Sequence, residues 1–153
     1  MLNNASARAA VGHVIDPVAR GLLRLHVSPD AVTVAGTVGA SAAGLWFYPR
    51  QQWAVGTLVI LLFAFSDLLD GTMARMSGRQ GPWGAFLDST LDRVTDGLLF
   101  GAVALGFVAA GDRLTAAVAI VCLVGGAVVS YAKARAESVG AECNVGIAER
   151  AER

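Results

Sequence analysis

The 153-residue chain is 55% hydrophobic and only 16% charged, with 12 basic and 12 acidic residues and no net charge. Its mean hydropathy is +0.57. So few charges cannot coat a soluble bundle of this length, and the balanced total gives no basis for nucleic-acid binding, so the composition points to an all-α integral membrane protein.

Residues 1–29 read as an interfacial segment. Val11, Ile15, Val18, Leu22 and Leu25 recur at helical spacing, with Arg20 and Arg24 one turn apart on another face. That is the pattern of a helix lying at a membrane surface. Asp16-Pro17 is its expected start, with Asp16 as the cap. Four apolar stretches follow, roughly 31–49, 52–69, 94–111 and 114–132, each approaching the ~20 residues that cross a bilayer as a helix. The expected layout is a single membrane domain over 1–153, with four transmembrane helices within 30–137. Residues 138–153 form a cytosolic loop and the start of a fifth helix.

Ser28, Pro29 and Asp30 open the first span as cap, first helical residue and acidic first turn. Gly36, Ala40 and Gly44 then recur every four residues, a small stripe suited to close helix packing. Ser77–Gly84, "SGRQGPWG", is a short glycine-rich reversal that sets two helices side by side, with Gly84 at a close helix contact. Arg50 and Arg113 fall in the two outer turns, whereas the other ten basic residues fall on the opposite side. This asymmetry places that opposite side in the cytosol. Trp46, Trp53 and Trp83 lie near span ends and read as interfacial anchors. Cys122 and Cys143 are expected in different environments, without a disulfide. His13 and His26 lack metal-ligand spacing.

Residues 66–97 hold five aspartates: Asp67, Asp70, Asp88, Asp92 and Asp96. Asp67 and Asp70 share a helix face, as do Asp88 and Asp92. One charge at the bilayer centre costs about 2.5–3.5 kcal/mol, so four carboxylates there would cost on the order of 10 kcal/mol before repulsion. A position at the cytosolic interface and bound cations both relieve that cost. Two divalent ions would neutralise four carboxylates, and hard oxygen donors suit Mg²⁺ or Mn²⁺. A cation transporter or channel using the aspartates as an ion path is the alternative of another class, but it predicts acids at mid-membrane rather than at helix ends.

Asp67-x-x-Asp70-Gly71-x-x-Ala74-Arg75, eight residues, then Gly84-x-x-x-Asp88-x-x-x-Asp92 resembles the signature of the CDP-alcohol phosphotransferase family at every fixed position. The resemblance implies a six-helix membrane fold with a surface N-terminal helix, whose last two helices lie beyond this chain. It implies transfer of a substituted phosphate from a CDP-linked donor to an alcohol, with release of CMP. It also implies that Asp67, Asp70, Asp88 and Asp92 hold two metal ions and that Asp92 is the catalytic base. Asp30, Ala31, Val32, Thr33, Gly71, Arg75 and Gly81 would line the donor site for CDP-diacylglycerol. Gly81 stands where many members carry Ser or Thr, leaving only backbone contact, and Arg75 offers a guanidinium fork to a pyrophosphate. Asp96 lies outside the signature and reads as structural.

Residues 129–137, "VSYAKARAE", and 147–153, "IAERAER", resemble an actinobacterial subgroup of that family that makes phosphatidylinositol phosphate. The implied acceptor is inositol 1-phosphate (1D-myo-inositol 3-phosphate), with Ser130, Lys133 and Arg153 as its phosphate site. Arg135 and Arg150 are better read as snorkelling, topology-setting charges. Glycerol 3-phosphate is the alternative acceptor. The family further implies a multi-pass protein of the cell membrane, with its active site at the cytosolic face, acting as a homodimer.

Overall fold

A computed structural model describes residues 15–141. Every regular element among them is helical. In chain order these are α1 (15–24), α2 (Pro29–Phe47), α3 (Trp53–Ala64), α4 (Ser66–Met76), α5 (Pro82–Ala109) and α6 (Arg113–Ser138).

Among the described residues, three stretches are long and apolar enough to cross a membrane: Pro29–Arg50, Trp53–Met76 and Arg113–Ser138. α5 departs from the expected third span. Its apolar part continues without a break from the acidic motif, so one 28-residue helix carries Asp88, Asp92 and Arg93 in its first half and Asp96 at its middle. The charges that lower its hydropathy are the functional candidates. Asp16 also departs from expectation: Ile15 is already helical, so Asp16 lies inside α1 and does not cap it.

The start of α2 forms as its sequence dictates. The Ser28 hydroxyl accepts from the Ala31 N–H at 3.2 Å, with Pro29 in the first turn. α2 packs against α3, α4 and α5, and α5 packs against α6. The small stripe makes the central contacts, for Gly36, Ala40 and Gly44 are all buried. A Cβ at Gly36 would stand 2.7 Å from the Ser66 Cβ, and one at Gly44 would stand 2.6 Å from a Leu99 methyl. Large aliphatic side chains face outward instead: Leu58 and Leu62 are each 70% exposed, as is Val121. Small residues inside and branched ones outside are what a lipid solvent favours, since lipid tails are as apolar as leucine and helices gain by close approach.

α3 and α4 are separated by Phe65 alone, where the Ser66 hydroxyl donates to the Phe63 carbonyl at 2.6 Å. Such a back-bond competes with the helical ladder. α4 ends in a Schellman turn. Arg79 N–H donates to the Ala74 carbonyl at 3.0 Å and Gly78 N–H to that of Arg75 at 3.4 Å. Gly78 takes the left-handed conformation, φ +65°, that the turn requires. Gly81 caps α5 and Pro82 opens it. The predicted reversal is therefore present, but it does not set α4 and α5 side by side: each packs on α2 instead, and the two meet only near the turn.

At the other end, the half-buried Trp53 ring packs at a tilt against Tyr48, 5.1 Å between centroids, and against Phe107, 4.9 Å. Trp46 is 58% exposed, with the Arg50 guanidinium 3.8 Å over its ring. Cys122 is a free, exposed thiol on α6, and Cys143 lies outside the described residues.

Candidate active site

Asp70 is the most enclosed acid of the motif, on α4, 8% exposed. Thr33 of α2 donates its hydroxyl to Asp70 Oδ2 at 2.5 Å. A hydroxyl has one proton to give, so Thr33, expected in the donor lining, is engaged with a motif carboxylate. Asp88 and Asp92 of α5 lie close enough for their charges to act on Asp70. Asp67 is exposed in the first turn of α4, while Asp88 and Asp92 are half-buried.

The donor chemistry suits a hard divalent cation, since the set is four carboxylates without sulfur or imidazole. Among the described residues no three such side chains stand at ligating spacing. Asp70 turns to Thr33, and Asp92 reaches Arg93 at 3.9 Å.

Gly71 and Arg75 form a unit on α4. A Cβ on Gly71 would meet only the Arg75 guanidinium, 3.6 Å away. The same guanidinium donates to the Thr72 hydroxyl at 2.7 Å. The bare Gly71 face therefore carries a positive fork, as a phosphate site needs.

A cavity of about 180 Å³ opens where the start of α2 meets the reversal. Ser28, Pro29 and Asp30 line one side, and Arg79, Gly81 and Trp83 the other. The Trp83 indole N–H donates to Asp30 Oδ2 at 3.1 Å. Of the expected donor-site residues, Asp30 and Gly81 meet here. Ala31 is exposed and Val32 half-buried on α2. Gly84 is not at a helix contact: a Cβ there would meet nothing within 4 Å, and the residue borders the cavity. The sequence reading missed Arg79 and Trp83 as lining residues. Their place between the two motif halves was the available signal.

On the acceptor side, Ser130 of α6 accepts from the Arg93 guanidinium at 2.8 Å. Lys133 pairs with Glu137 at 3.7 Å, one turn on. Arg153 and Arg150 lie outside the described residues. Arg135 bonds within its own turn, at 3.5 Å from the Ser138 hydroxyl. Asp96 accepts from Arg93 at 2.7 Å, in keeping with a structural role.

The family model for CDP-alcohol phosphatidyltransferase matches residues 26–152. The chain belongs to the CDP-alcohol phosphatidyltransferase family. It is 55% identical over 152 residues to a phosphatidylinositol phosphate synthase of Streptomyces avermitilis, covering 98% of this chain and 62% of that one. It is 48% identical over 147 residues to a phosphatidylinositol phosphate synthase of Cutibacterium acnes, covering 95% and 71%. Among solved structures, it is similar to the Mycobacterium tuberculosis phosphatidylinositol phosphate synthase with CDP-DAG bound. The TM-score is 0.84 at 39% identity, covering 92% of this chain and 71% of that one. The complex of the same enzyme with manganese and citrate gives 0.81 at 40%, covering 88% and 65%. The chain thus spans about two thirds of the length of these family members.

Proposed function

We propose that the protein transfers the phosphatidyl group of CDP-diacylglycerol to inositol 1-phosphate, giving phosphatidylinositol phosphate and CMP. The observation that carries this reading is the complete acidic signature folded onto two helices that meet at one reversal, with Asp70 held by Thr33 and within the electrostatic reach of Asp88 and Asp92. Similarity to synthases of that product supports it, one of them crystallised both with CDP-DAG and, separately, with manganese and citrate.

In this reading Asp67, Asp70, Asp88 and Asp92 hold two divalent ions, Mg²⁺ or Mn²⁺. Such ions neutralise charge on transferring phosphates and align attacking and leaving oxygens. Asp92 takes the proton of the inositol hydroxyl. The freed oxygen forms a bond to the lipid-linked phosphorus of the donor, the bond from that phosphorus to CMP breaks, and CMP leaves with its electron pair. Arg75, over Gly71, offers donors to the pyrophosphate as charge moves onto the leaving group. The cavity by Asp30 and Gly81 receives part of the nucleotide. Ser130, Lys133 and Arg153 bind the acceptor phosphate. Basic residues concentrated at this end of the bundle support a cytosolic active site, where a soluble acceptor would meet a donor whose tails stay in the bilayer.

The test is CMP release from CDP-diacylglycerol by the membrane-reconstituted protein, with inositol 1-phosphate and with glycerol 3-phosphate. Turnover with the first and little with the second is expected. Preference for glycerol 3-phosphate would assign the other acceptor. Asp92→Asn should lower turnover by about 10²-fold or more, and undiminished turnover would remove Asp92 as base.

A further inference from the structure

Arg93 joins the acidic helix to α6 by a hydrogen bond. Its Nη1 lies 2.7 Å from Asp96 Oδ2 and 2.8 Å from Ser130 Oγ, and its Nη2 lies 3.9 Å from Asp92 Oδ2. The signature does not include it, and its charge alone would be read as setting topology. We infer that Arg93 is a positioning residue for the acceptor: it fixes Ser130 as a hydrogen-bond donor to the acceptor's anionic group and sets that serine in register with Asp92. This rests on the reading of Ser130 as part of the acceptor phosphate site.

The argument is one of donor and acceptor counting. A serine hydroxyl has one proton and two lone pairs. A guanidinium can only donate, so at 2.8 Å it takes a lone pair of Ser130 Oγ and leaves the proton to point elsewhere. A hydroxyl so arranged suits a phosphate oxygen and rejects a second cation. Asp96 holds the guanidinium from behind, one turn along the same helix. The side chain of Arg93 is 42% exposed, so unused N–H groups remain open to the same anion. Arg93 is also the immediate chain neighbour of Asp92. Whatever seats the guanidinium therefore also fixes the distance between the anchored phosphate and the carboxylate that receives the hydroxyl proton. Lysine cannot replace it: a single ammonium lacks the planar fork that spans two partners.

The experiment measures CMP release while acceptor and donor concentrations are varied separately, for wild type, Arg93→Gln, Arg93→Lys, Ser130→Ala and the double variant Arg93→Gln/Ser130→Ala. Loss of a hydrogen bond involving a charged group corresponds to a tenfold or larger change. The expected result is an inositol 1-phosphate KM raised about tenfold or more in each Arg93 variant, with the CDP-diacylglycerol KM within about twofold of wild type. The double variant should be no worse than the poorer single one, because residues acting as a unit are not additive. Should Arg93→Gln fail to assemble, Arg93→Lys with Ser130→Ala carries the same cycle at unchanged charge. Multiplying effects, an unmoved acceptor KM, or equal changes in both KM values would each overturn the role of Arg93 while leaving the proposed reaction standing. A wild-type protein without turnover on inositol 1-phosphate would overturn both.

Discussion

Replacing Thr33 with valine keeps the shape of the side chain and removes its one hydroxyl. In the structure that hydroxyl stands 2.5 Å from Asp70 Oδ2, with Thr33 9% and Asp70 8% exposed. Its contact with the Pro29 carbonyl is longer, 3.2 Å, so the carboxylate takes the proton. A hydrogen bond to a charged group contributes about 1.5–3 kcal/mol, and its loss leaves a buried carboxylate short of a donor. Partners behind metal ligands typically change metal affinity by about 10–100-fold. Thr33→Val should therefore raise the Mn²⁺ concentration giving half-maximal CMP release by about tenfold or more. Thr33→Ser, which keeps the hydroxyl, should restore most of it. The assay is a Mn²⁺ titration of the chelator-stripped protein at saturating donor and acceptor. An unchanged half-maximal concentration in Thr33→Val, with full turnover, would refute the view that α2 orients this carboxylate for a metal.

A methyl group at Gly106 would stand 2.7 Å from the Tyr48 carbonyl oxygen and collide with the Trp53 ring; Gly106→Ala should destabilise the protein by about 1–3 kcal/mol, read as a lower thermal midpoint in detergent. The Thr115 hydroxyl and N–H hold the exposed Asp112 carboxyl below the usual carboxylate range. A carboxyl depressed in the folded state stabilises above its unfolded pKa, about 3.9, and loses that contribution as pH falls through the folded value. The thermal midpoint of Asp112→Ala should accordingly trail wild type near neutral pH and converge with it in acid. Chelation should abolish CMP release and added Mg²⁺ or Mn²⁺ restore it, whereas Asp70→Ala should resist restoration at any metal concentration tested.

The features most legible in the sequence were those set by local chemistry. Ser28-Pro29 announced the start of α2, and the small stripe announced its packed face. The glycines of the reversal announced the turn, with Gly78 at positive φ as such a turn demands. What periodicity could not supply was the partner of a side chain. Trp53 reads as an interfacial anchor, and only the fold adds the rings of Tyr48 and Phe107 beside it. Gly84 looks like a contact glycine until its surroundings prove open. Hydropathy started the third span at residue 94 because acids lower the average, yet the helix begins at Pro82. The complete spacing of four aspartates marked them as the candidate acids of the site. The role of Thr33 depends on a contact across 37 positions of chain, and that of Arg93 on another of the same separation. No local pattern reports such contacts.

α5 runs unbroken from the reversal to the outer turn. Near its far end Gly106 is wedged against Tyr48 and Trp53, while its near half carries the motif carboxylates Asp88 and Asp92. Eighteen residues separate Gly106 from Asp88, about 27 Å along the axis. A pivot of one degree at the wedge would swing Asp88 through roughly half an ångström on that lever arm. A flaw in that aromatic clamp would thus re-aim the motif carboxylates at the opposite end of the same helix.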